Sequence, residues 1–188
     1  MLRTDQQLIA DYHKEDEQAL ALLIDRYMRA IYSFSYRLTG NADDAQDVTQ
    51  ESFVKMWKHL HAYRPEQSFR AWIFRIAHNT AIDLLRKKKG VPLSYFDTAS
   101  GENVLENTSE DPAPLPDELL TQAENKKLLD SLLDQLAPTA REVLVLHYEH
   151  ELTFDEIGSI VGRPLNTVKS QHRRALAQLR LSLMHAPQ

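Results

Sequence analysis

One stretch of this sequence lacks a sustained apolar period, and it divides the chain into two parts. Residues 90–116 are rich in Ser, Thr, Asn, Pro and acidic side chains, and residues 94–121 contain seven acidic residues and no basic one. Such a segment cannot bury enough apolar surface to offset the entropy lost on ordering. We therefore predict a flexible acidic linker at residues 91–117 between two small domains, at residues 1–90 and 118–188.

Apolar residues on both sides of this segment repeat at the spacing of α-helices, which predicts an all-α fold. In the N-terminal part, Asp16, Asn41 and Ser68 stand where helix N-caps are expected, and Gly40 stands where a helix would end. A shorter helix is expected near residues 6–13. The predicted buried faces of the three long helices are Ala19, Leu20, Leu23, Ile24, Tyr27, Ile31 and Phe34; Ala45, Val48, Phe53, Met56, Trp57 and Leu60; and Phe69, Trp72, Ile73, Ile76, Ala77 and Leu84.

The C-terminal part is expected to hold about four helices, and the last two have the pattern of a helix-turn-helix. One helix is predicted over residues 119–136 and another from Pro138. Thr153 and Glu156 then have the spacing of a capping box. Gly158 would let two helices cross closely, and Gly162 can take the positive φ that a tight turn needs.

The second helix of this motif is basic and polar on its exposed face. From residue 157 to the end of the sequence there are five basic residues and no acidic one. Polar side chains at the start of such a helix suit base edges, and its basic side chains suit phosphates. A solvated basic helix that packs on its neighbours is the alternative, but DNA binding is the favoured interpretation. The residues expected to contact DNA are Asn166, Thr167, Lys169, Ser170, Arg173 and Arg174.

The composition argues against an enzyme. The chain has no cysteine, and its five glycines cannot form a phosphate-binding loop. His150 and Glu151 begin a zinc-protease motif that fails at Phe154, and His147 has no further ligand to share with them. We expect no metal and no cofactor. Neither a membrane span nor the apolar core of a signal peptide can be found, so a soluble cytoplasmic protein without membrane insertion is expected.

Two segments resemble bacterial RNA polymerase sigma factors of the extracytoplasmic-function (ECF) group. They are YRLTGNADDAQDVTQESFVKMWKHLHAYRPEQSFRAWIFRIAHNTAIDLLRKKK in the N-terminal part and LTFDEIGSIVGRPLNTVKSQHRRAL in the C-terminal part. The first is similar to the polymerase-binding and minus-ten-reading domain of that family, and the second to its minus-thirty-five-reading domain. The resemblance implies an alternative sigma factor that binds core RNA polymerase, reads two promoter elements and helps to open the DNA.

The resemblance also implies where the polymerase binds. Asp47, Gln50 and Glu51 match the helix that docks on the coiled coil of the largest polymerase subunit. The residues themselves agree, because Asp43, Asp44, Asp47 and Glu51 form an acidic strip at helical spacing. Such a strip suits a basic partner helix.

For the minus-ten element, the resemblance implies that Asn79 and the loop from Tyr63 to Ser68 hold a flipped-out base of the non-template strand. The further residues placed at this element are Arg64, Trp72 and Arg75. A surface amide at Asn79 and a core position for Trp72 are the alternatives. Position 73 is Ile where primary sigma factors have a second tryptophan, which implies weaker melting and stricter promoter choice.

Some residues of the last helix depart from the family pattern. Asn166 replaces a frequent glycine, and Gln171 and Leu176 replace frequent arginines, so the preferred DNA sequence is not implied. The resemblance also implies an anti-sigma factor as a partner and a linker that runs through the polymerase. The rival interpretations are a stand-alone helix-turn-helix regulator, which would leave the acidic strip unexplained, and a metal-dependent enzyme without a ligand cluster.

Overall fold

The computed structural model of the chain describes residues 3–89, 131–133 and 135–184, and within those residues the regular structure is helical, without strands. The predicted all-α fold is confirmed. The elements are α1 (Asp5–Tyr12), α2 (Glu17–Thr39), α3 (Ala42–His59), a 3₁₀ turn (Leu60–Ala62), α4 (Phe69–Lys89), α5 (Pro138–Leu144), a π-helical segment (Val145–Glu149), α6 (Phe154–Val161) and α7 (Leu165–Met184).

The described residues form two compact units. The first contains residues 3–89 together with Asp155–Arg163, and the second contains residues 131–133, 135–154 and 164–184. The predicted linker at 91–117 lies outside the described residues, as does most of the helix predicted over 119–136. No helix in the described part of the chain is both long and apolar enough to cross a membrane.

The helix boundaries in the first unit follow the predicted caps. The Asp16 carboxylate accepts hydrogen bonds from the amides of residues 18 and 19, and the Asn41 side chain accepts one from the amide of residue 44. The Ser68 hydroxyl accepts one from the Ala71 amide at 3.3 Å. Gly40 ends α2 with φ +68°, a left-handed conformation that costs glycine little. These predictions are confirmed.

The core of the first unit forms where α2, α3 and α4 pack on one another, with α1 packed on α2. Phe34 and Phe74 meet edge to face at 5.3 Å between ring centroids. Of the residues predicted to be buried, most are buried, Leu20, Ile24, Trp72, Ile76 and Leu84 are half-buried, and one is exposed. Trp57, which the apolar period assigned to the buried face of α3, is 51% exposed, because the buried stripe runs through Phe53, Met56 and Leu60 and leaves Trp57 outside it.

Buried hydroxyl groups let these helices approach closely without leaving polar atoms unpaired. Each of them donates to the carbonyl four residues earlier in its own helix, so none needs a partner on another helix. The pairs are Ser35 to Ile31, Thr39 to Ser35, Thr49 to Ala45, Ser52 to Val48 and Thr80 to Ile76.

The second unit has its own apolar core, built from residues of the 131–136 segment, α5 and α7. Its members are Leu132, Leu133, Leu136, Leu144, Ala175, Leu176 and Leu179. Pro138 is the first residue of α5, as predicted. The continuation into a π-helical segment was not predicted. There the Leu146 carbonyl accepts from the Leu152 amide at 3.1 Å.

The predicted helix-turn-helix has the expected course along the chain. Between α6 and α7, Gly162 takes φ +70°, and the Arg163 amide donates to the Gly158 carbonyl at 2.9 Å. The Pro164 carbonyl accepts from the Val168 amide at 3.1 Å in the first turn of α7. The turn glycine is therefore required by its backbone conformation, as the sequence predicted.

Candidate functional site

The outer face of α3 carries a regular stripe of exposed residues. Asp43, Asp47, Gln50, Val54 and Trp57 follow one another at alternating intervals of four and three, and all five are exposed. We call these residues, with Glu51 beside them, the α3 face. Its first half is acidic, and its second half presents Val54 and Trp57, which are 40% and 51% exposed. The 4-3 interval is the one at which a helix contacts a second helix along its length.

Asp44, predicted as part of the same acidic strip, lies outside the α3 face. Its side chain is only 11% exposed, and its Oδ1 atom accepts from Lys88 Nζ near the end of α4 at 2.5 Å. This hydrogen bond is the main reason that the pKa of Lys88 is raised, and the negative charge of Asp44 adds to it. Asp44 thus joins the start of α3 to the end of α4.

The three other predicted docking residues differ from Asp44, because Asp47, Gln50 and Glu51 are all exposed. Glu51 Oε1 lies 3.8 Å from Lys55 Nζ, a loose surface pair one turn along the helix. Sequence reasoning missed Val54 and Trp57 on this face. The signal that could have found them is the 4-3 interval that starts at Asp43, which includes Val54 and Trp57 and excludes the buried Phe53 and Met56.

The loop between the 3₁₀ turn and α4 is held by Tyr63, which is 8% exposed. Its hydroxyl donates to the Gln67 carbonyl at 2.5 Å, and the Gln67 amide donates to the Arg64 carbonyl at 3.0 Å. Burial raises the pKa of the Tyr63 hydroxyl, so it stays a donor. Tyr63 therefore shapes the loop from inside, whereas Arg64 and Ser68 are exposed on it.

Trp72 is neither fully buried nor fully exposed. Its ring contacts Tyr63 and Phe69, with centroids 5.3 Å and 5.6 Å away. Arg75 and Asn79 follow on the same side of α4 at intervals of three and four, and both are exposed. The Asn79 Oδ1 atom lies 3.3 Å from Nδ1 of His78. The structure thus joins the predicted loop to α4 through the contact of Tyr63 with Trp72, and Arg75 and Asn79 follow on the same side of that helix.

The first turns of α7 present the residues predicted to contact DNA. Asn166, Lys169 and Arg174 are exposed, and Thr167, Ser170 and Arg173 are half-buried; among them, Arg174 Nη2 donates to the Ser170 hydroxyl at 2.7 Å. Leu165 at the start of the helix is 39% exposed. Behind this face, Val168, Leu176 and Leu179 are buried, as predicted.

An aromatic cluster fixes α7 in the second unit. His172 is 4% exposed, and its ring lies against Phe154 at 4.9 Å and Tyr148 at 5.7 Å between centroids. The His172 Nε2 atom lies 3.2 Å from the Tyr148 hydroxyl. His147, in the π-helical segment, stacks on Phe154 and places Nδ1 2.8 Å from the Leu152 carbonyl. These two histidines pack against aromatic side chains. Among the described residues, no group of three or more metal-ligating side chains converges.

Two known protein families match this chain, one in each part of the sequence. The family described as Sigma-70 region 2 matches residues 23–91, which contain α3 and α4, and Sigma-70, region 4 matches residues 132–181, which contain α7. The two matches define a bacterial transcription initiation factor of the sigma-70 class.

Curated relatives narrow this class to one group. The chain is 34% identical to the ECF RNA polymerase sigma factor SigW of Bacillus subtilis, over 93% of this chain and 94% of that protein. It is 30% identical to the ECF RNA polymerase sigma-E factor of Escherichia coli K12, over 92% of this chain and 90% of that protein. The chain belongs to the ECF RNA polymerase sigma factors, which are alternative sigma factors that direct promoter-specific transcription.

Solved structures support the same fold. CnrH, in complex with the cytosolic domain of CnrY, matches with a TM-score of 0.67 at 24% identity, over 97% of this chain and 99% of that chain. The sigma factor RpoE of Bartonella quintana, in complex with the anti-sigma factor NepR, matches with a TM-score of 0.63 at 22% identity, over 93% and 99%.

Proposed function

We propose that this sigma factor docks on core RNA polymerase through the α3 face. The proposal rests on the stripe of exposed residues that follow one another at intervals of four and three along this helix. Asp47, Gln50 and Glu51 would meet basic side chains of a polymerase helix, and Val54 and Trp57 would pack on its apolar part. An exposed tryptophan is typical of an interface, because aromatic residues are enriched there and a few such anchors carry most of the binding energy. Asp44 takes no part, because its carboxylate is engaged by Lys88.

A second proposal concerns the minus-ten element. The loop at residues 63–68 and the α4 residues Trp72, Arg75 and Asn79 would hold a base of the non-template strand after it leaves the stack. Asn79 can pair with the edge of an extruded base. Arg64 and Arg75 would contact phosphates. The buried Tyr63 would act by shaping the loop, which its hydrogen bond to Gln67 supports.

The third proposal is that α7 reads the minus-thirty-five element in the major groove. Lys169 and Arg174 would reach base edges or phosphates, and Asn166, Thr167, Ser170 and Arg173 would complete the contact surface. Its support is the helix-turn-helix course of the backbone, together with a basic exposed face that the aromatic cluster at His172 holds in place. Ser170 would orient Arg174 through their 2.7 Å hydrogen bond.

The division of the chain follows from these roles. Residues 1–90 would bind polymerase and the minus-ten element, residues 118–188 would read the minus-thirty-five element, and the acidic residues 91–117 would link them. We place the protein in the cytoplasm, where polymerase and promoter DNA are found, and assign it no catalysis of its own. An anti-sigma factor is a further proposed partner, since the sigma factor RpoE of Bartonella quintana was solved in complex with the anti-sigma factor NepR.

Transcription with purified components tests the whole proposal. The full chain is added to core polymerase on a library of promoter templates, and run-off RNA is measured. We expect RNA from a subset of templates only when the chain is present. A stand-alone helix-turn-helix regulator would instead bind promoter duplex by itself and fail to co-purify with core polymerase, and that result would contradict the proposal.

A further inference from the structure

Two histidines from different elements lie together in the first unit. His13 is the residue that follows α1, and His61 is the middle residue of the 3₁₀ turn Leu60–Ala62. Their ring centroids are 5.1 Å apart, with the ring planes inclined by 34°. Both residues are exposed.

The backbone on both sides of this pair is held in place. Next to His13, the Tyr12 hydroxyl accepts a hydrogen bond from Trp57 Nε1 at 2.9 Å, which ties the end of α1 to the end of α3. His61 is flanked by Leu60, which is fully buried, and by Tyr63, which is 8% exposed. Neither histidine needs a change in the backbone to meet the other. Ligands that are positioned before binding lose less entropy when the ion arrives.

The separation of the two rings fits a single tetrahedral metal ion. With metal–nitrogen bonds of about 2.0–2.1 Å, two imidazoles on one tetrahedral ion have ring centroids about 5.2 Å apart. The observed separation is 5.1 Å. Two cis imidazoles in a square-planar arrangement would have centroids roughly 4.5 Å apart, so tetrahedral coordination fits better. The cation would also lie at the C-terminal end of α1, where the partial negative charge of the helix favours it.

We propose that His13 and His61 form a two-histidine site for a borderline divalent transition-metal ion of the Zn²⁺ type. Water would complete the coordination, because no group of three or more metal-ligating side chains converges in the described part of the chain. Two protein ligands make a weak site that fills when the free ion is abundant, unlike a structural site with four. When filled, it joins α1 to the turn that precedes the loop at residues 63–68.

Calorimetric titration of the full chain with Zn²⁺ tests this site. His59 provides a matched control, since it is exposed and lies two residues from His61 along the chain. We expect one Zn²⁺ to bind per chain in the wild type and in His59→Ala, and this event to disappear in His13→Ala and in His61→Ala. No binding by the wild type, or the same binding by all four proteins, would overturn the proposal.

Thermal unfolding supplies a second readout that does not depend on polymerase or DNA. An ion that binds only the folded state raises Tm. Excess Zn²⁺ should raise the Tm of the wild type and of His59→Ala, and leave that of His61→Asn unchanged. His61→Asn keeps a polar side chain at an exposed position, so the variant is expected to fold. An equal rise of Tm in His61→Asn would assign the effect to another site and overturn the proposal.

Discussion

Helices α3 and α7 have similar lengths, but their exposed faces carry opposite charges. α3 has 18 residues and α7 has 20, and each buries an apolar stripe on one side. The exposed side of α3 is acidic in its first half and apolar in its second, whereas the exposed side of α7 carries Lys169 and Arg174 without any acidic residue. The buried stripe packs each helix into its unit, and the exposed face is the one proposed to meet polymerase on α3 and DNA on α7.

The two helices also differ in how they use their charged residues internally. On α3, the Asp44 side chain is nearly buried and forms an ion pair with Lys88 of α4. One residue of the predicted acidic strip therefore stabilises the fold. On α7, Arg174 bonds to Ser170 within its own exposed face and remains at the surface. A charged residue therefore belongs to the candidate site only where the tertiary structure leaves it exposed.

The largest expected effect is the loss of polymerase binding when the charge of the α3 face is reversed. Like charges placed together at an interface cost several kcal/mol, so Asp47→Lys with Glu51→Lys should weaken binding about 100-fold or more. The variant should keep its helicity, because both side chains are exposed. Fluorescence titration with labelled core polymerase measures the affinity, and circular dichroism measures the helicity.

The control for this variant reverses two charges elsewhere on the first unit. Glu15→Lys with Glu17→Lys changes the same number of exposed acidic residues, outside the α3 face. Polymerase binding should stay within a few-fold of the wild type. If the α3 variant co-purifies with core enzyme at the normal yield, the α3 face is not the surface that binds polymerase.

The next effect is on the basic face of α7. Lys169→Ala and Arg174→Ala should each weaken promoter binding by roughly 1–3 kcal/mol at the minus-thirty-five element if they reach base edges. A residue that touches only phosphate would weaken all sequences alike and lower the salt slope by about one. Binding of the polymerase complex to matched and mismatched promoters at several salt concentrations separates the two cases.

Arg180→Ala is the matched control for α7, because Arg180 is exposed on the same helix far from its first turn. Its promoter affinity should equal that of the wild type. If promoter occupancy were unchanged in both Lys169→Ala and Arg174→Ala, α7 would not be the reading helix.

A smaller effect, limited to one base position, is expected from Asn79→Ala. Polymerase binding and contact with the minus-thirty-five element should be unchanged. On a template already mismatched at the minus-ten element, where the unstacking cost of a few kcal/mol is removed, the variant should open the DNA but accept wrong bases. Discrimination should fall by at most about 3 kcal/mol, the upper value for one good pair with a base.

Open-complex formation on four templates that differ at the captured base measures this discrimination. If Asn79→Ala selects bases as the wild type does, Asn79 is only a surface amide and the capture site lies elsewhere.

The smallest effect concerns thermal stability and distinguishes Asp44 from Asp47. Asp44→Ala removes the partner of Lys88 and should lower Tm by a few degrees, whereas Asp47→Ala should leave Tm unchanged, because Asp47 is exposed. The pKa of Lys88 is raised in the folded protein, so its bond to Asp44 stabilises the fold below the unfolded-state value of 10.5. That stabilisation is lost as the pH rises through the folded-state pKa.

The Tm difference between Asp44→Ala and the wild type should accordingly shrink above pH 10.5. Thermal unfolding followed by circular dichroism at neutral and alkaline pH measures it. Equal Tm values for Asp44→Ala and Asp47→Ala at neutral pH would place Asp44 back among the surface residues of the acidic strip.

The sequence by itself determined the helices and most of their limits. Caps such as Asp16, Asn41 and Ser68 act on amides two or three residues away, and Gly40 and Gly162 are required by their own φ angles. The helical period gave most of the buried stripes for a related reason, since side chains three and four apart share a face whatever the helix packs on. All of these effects are local along the chain.

Only the tertiary structure decided which polar and aromatic residues remain at the surface. Asp44 finds Lys88 at a distance of 44 residues along the chain, and the exposed Trp57 reaches Tyr12 across 45. Tyr63, predicted to contact DNA, closes its own loop from a buried position. The period of a helix shows which residues share a side, but the width of the buried stripe depends on what packs against it. That neighbour is supplied by distant parts of the chain.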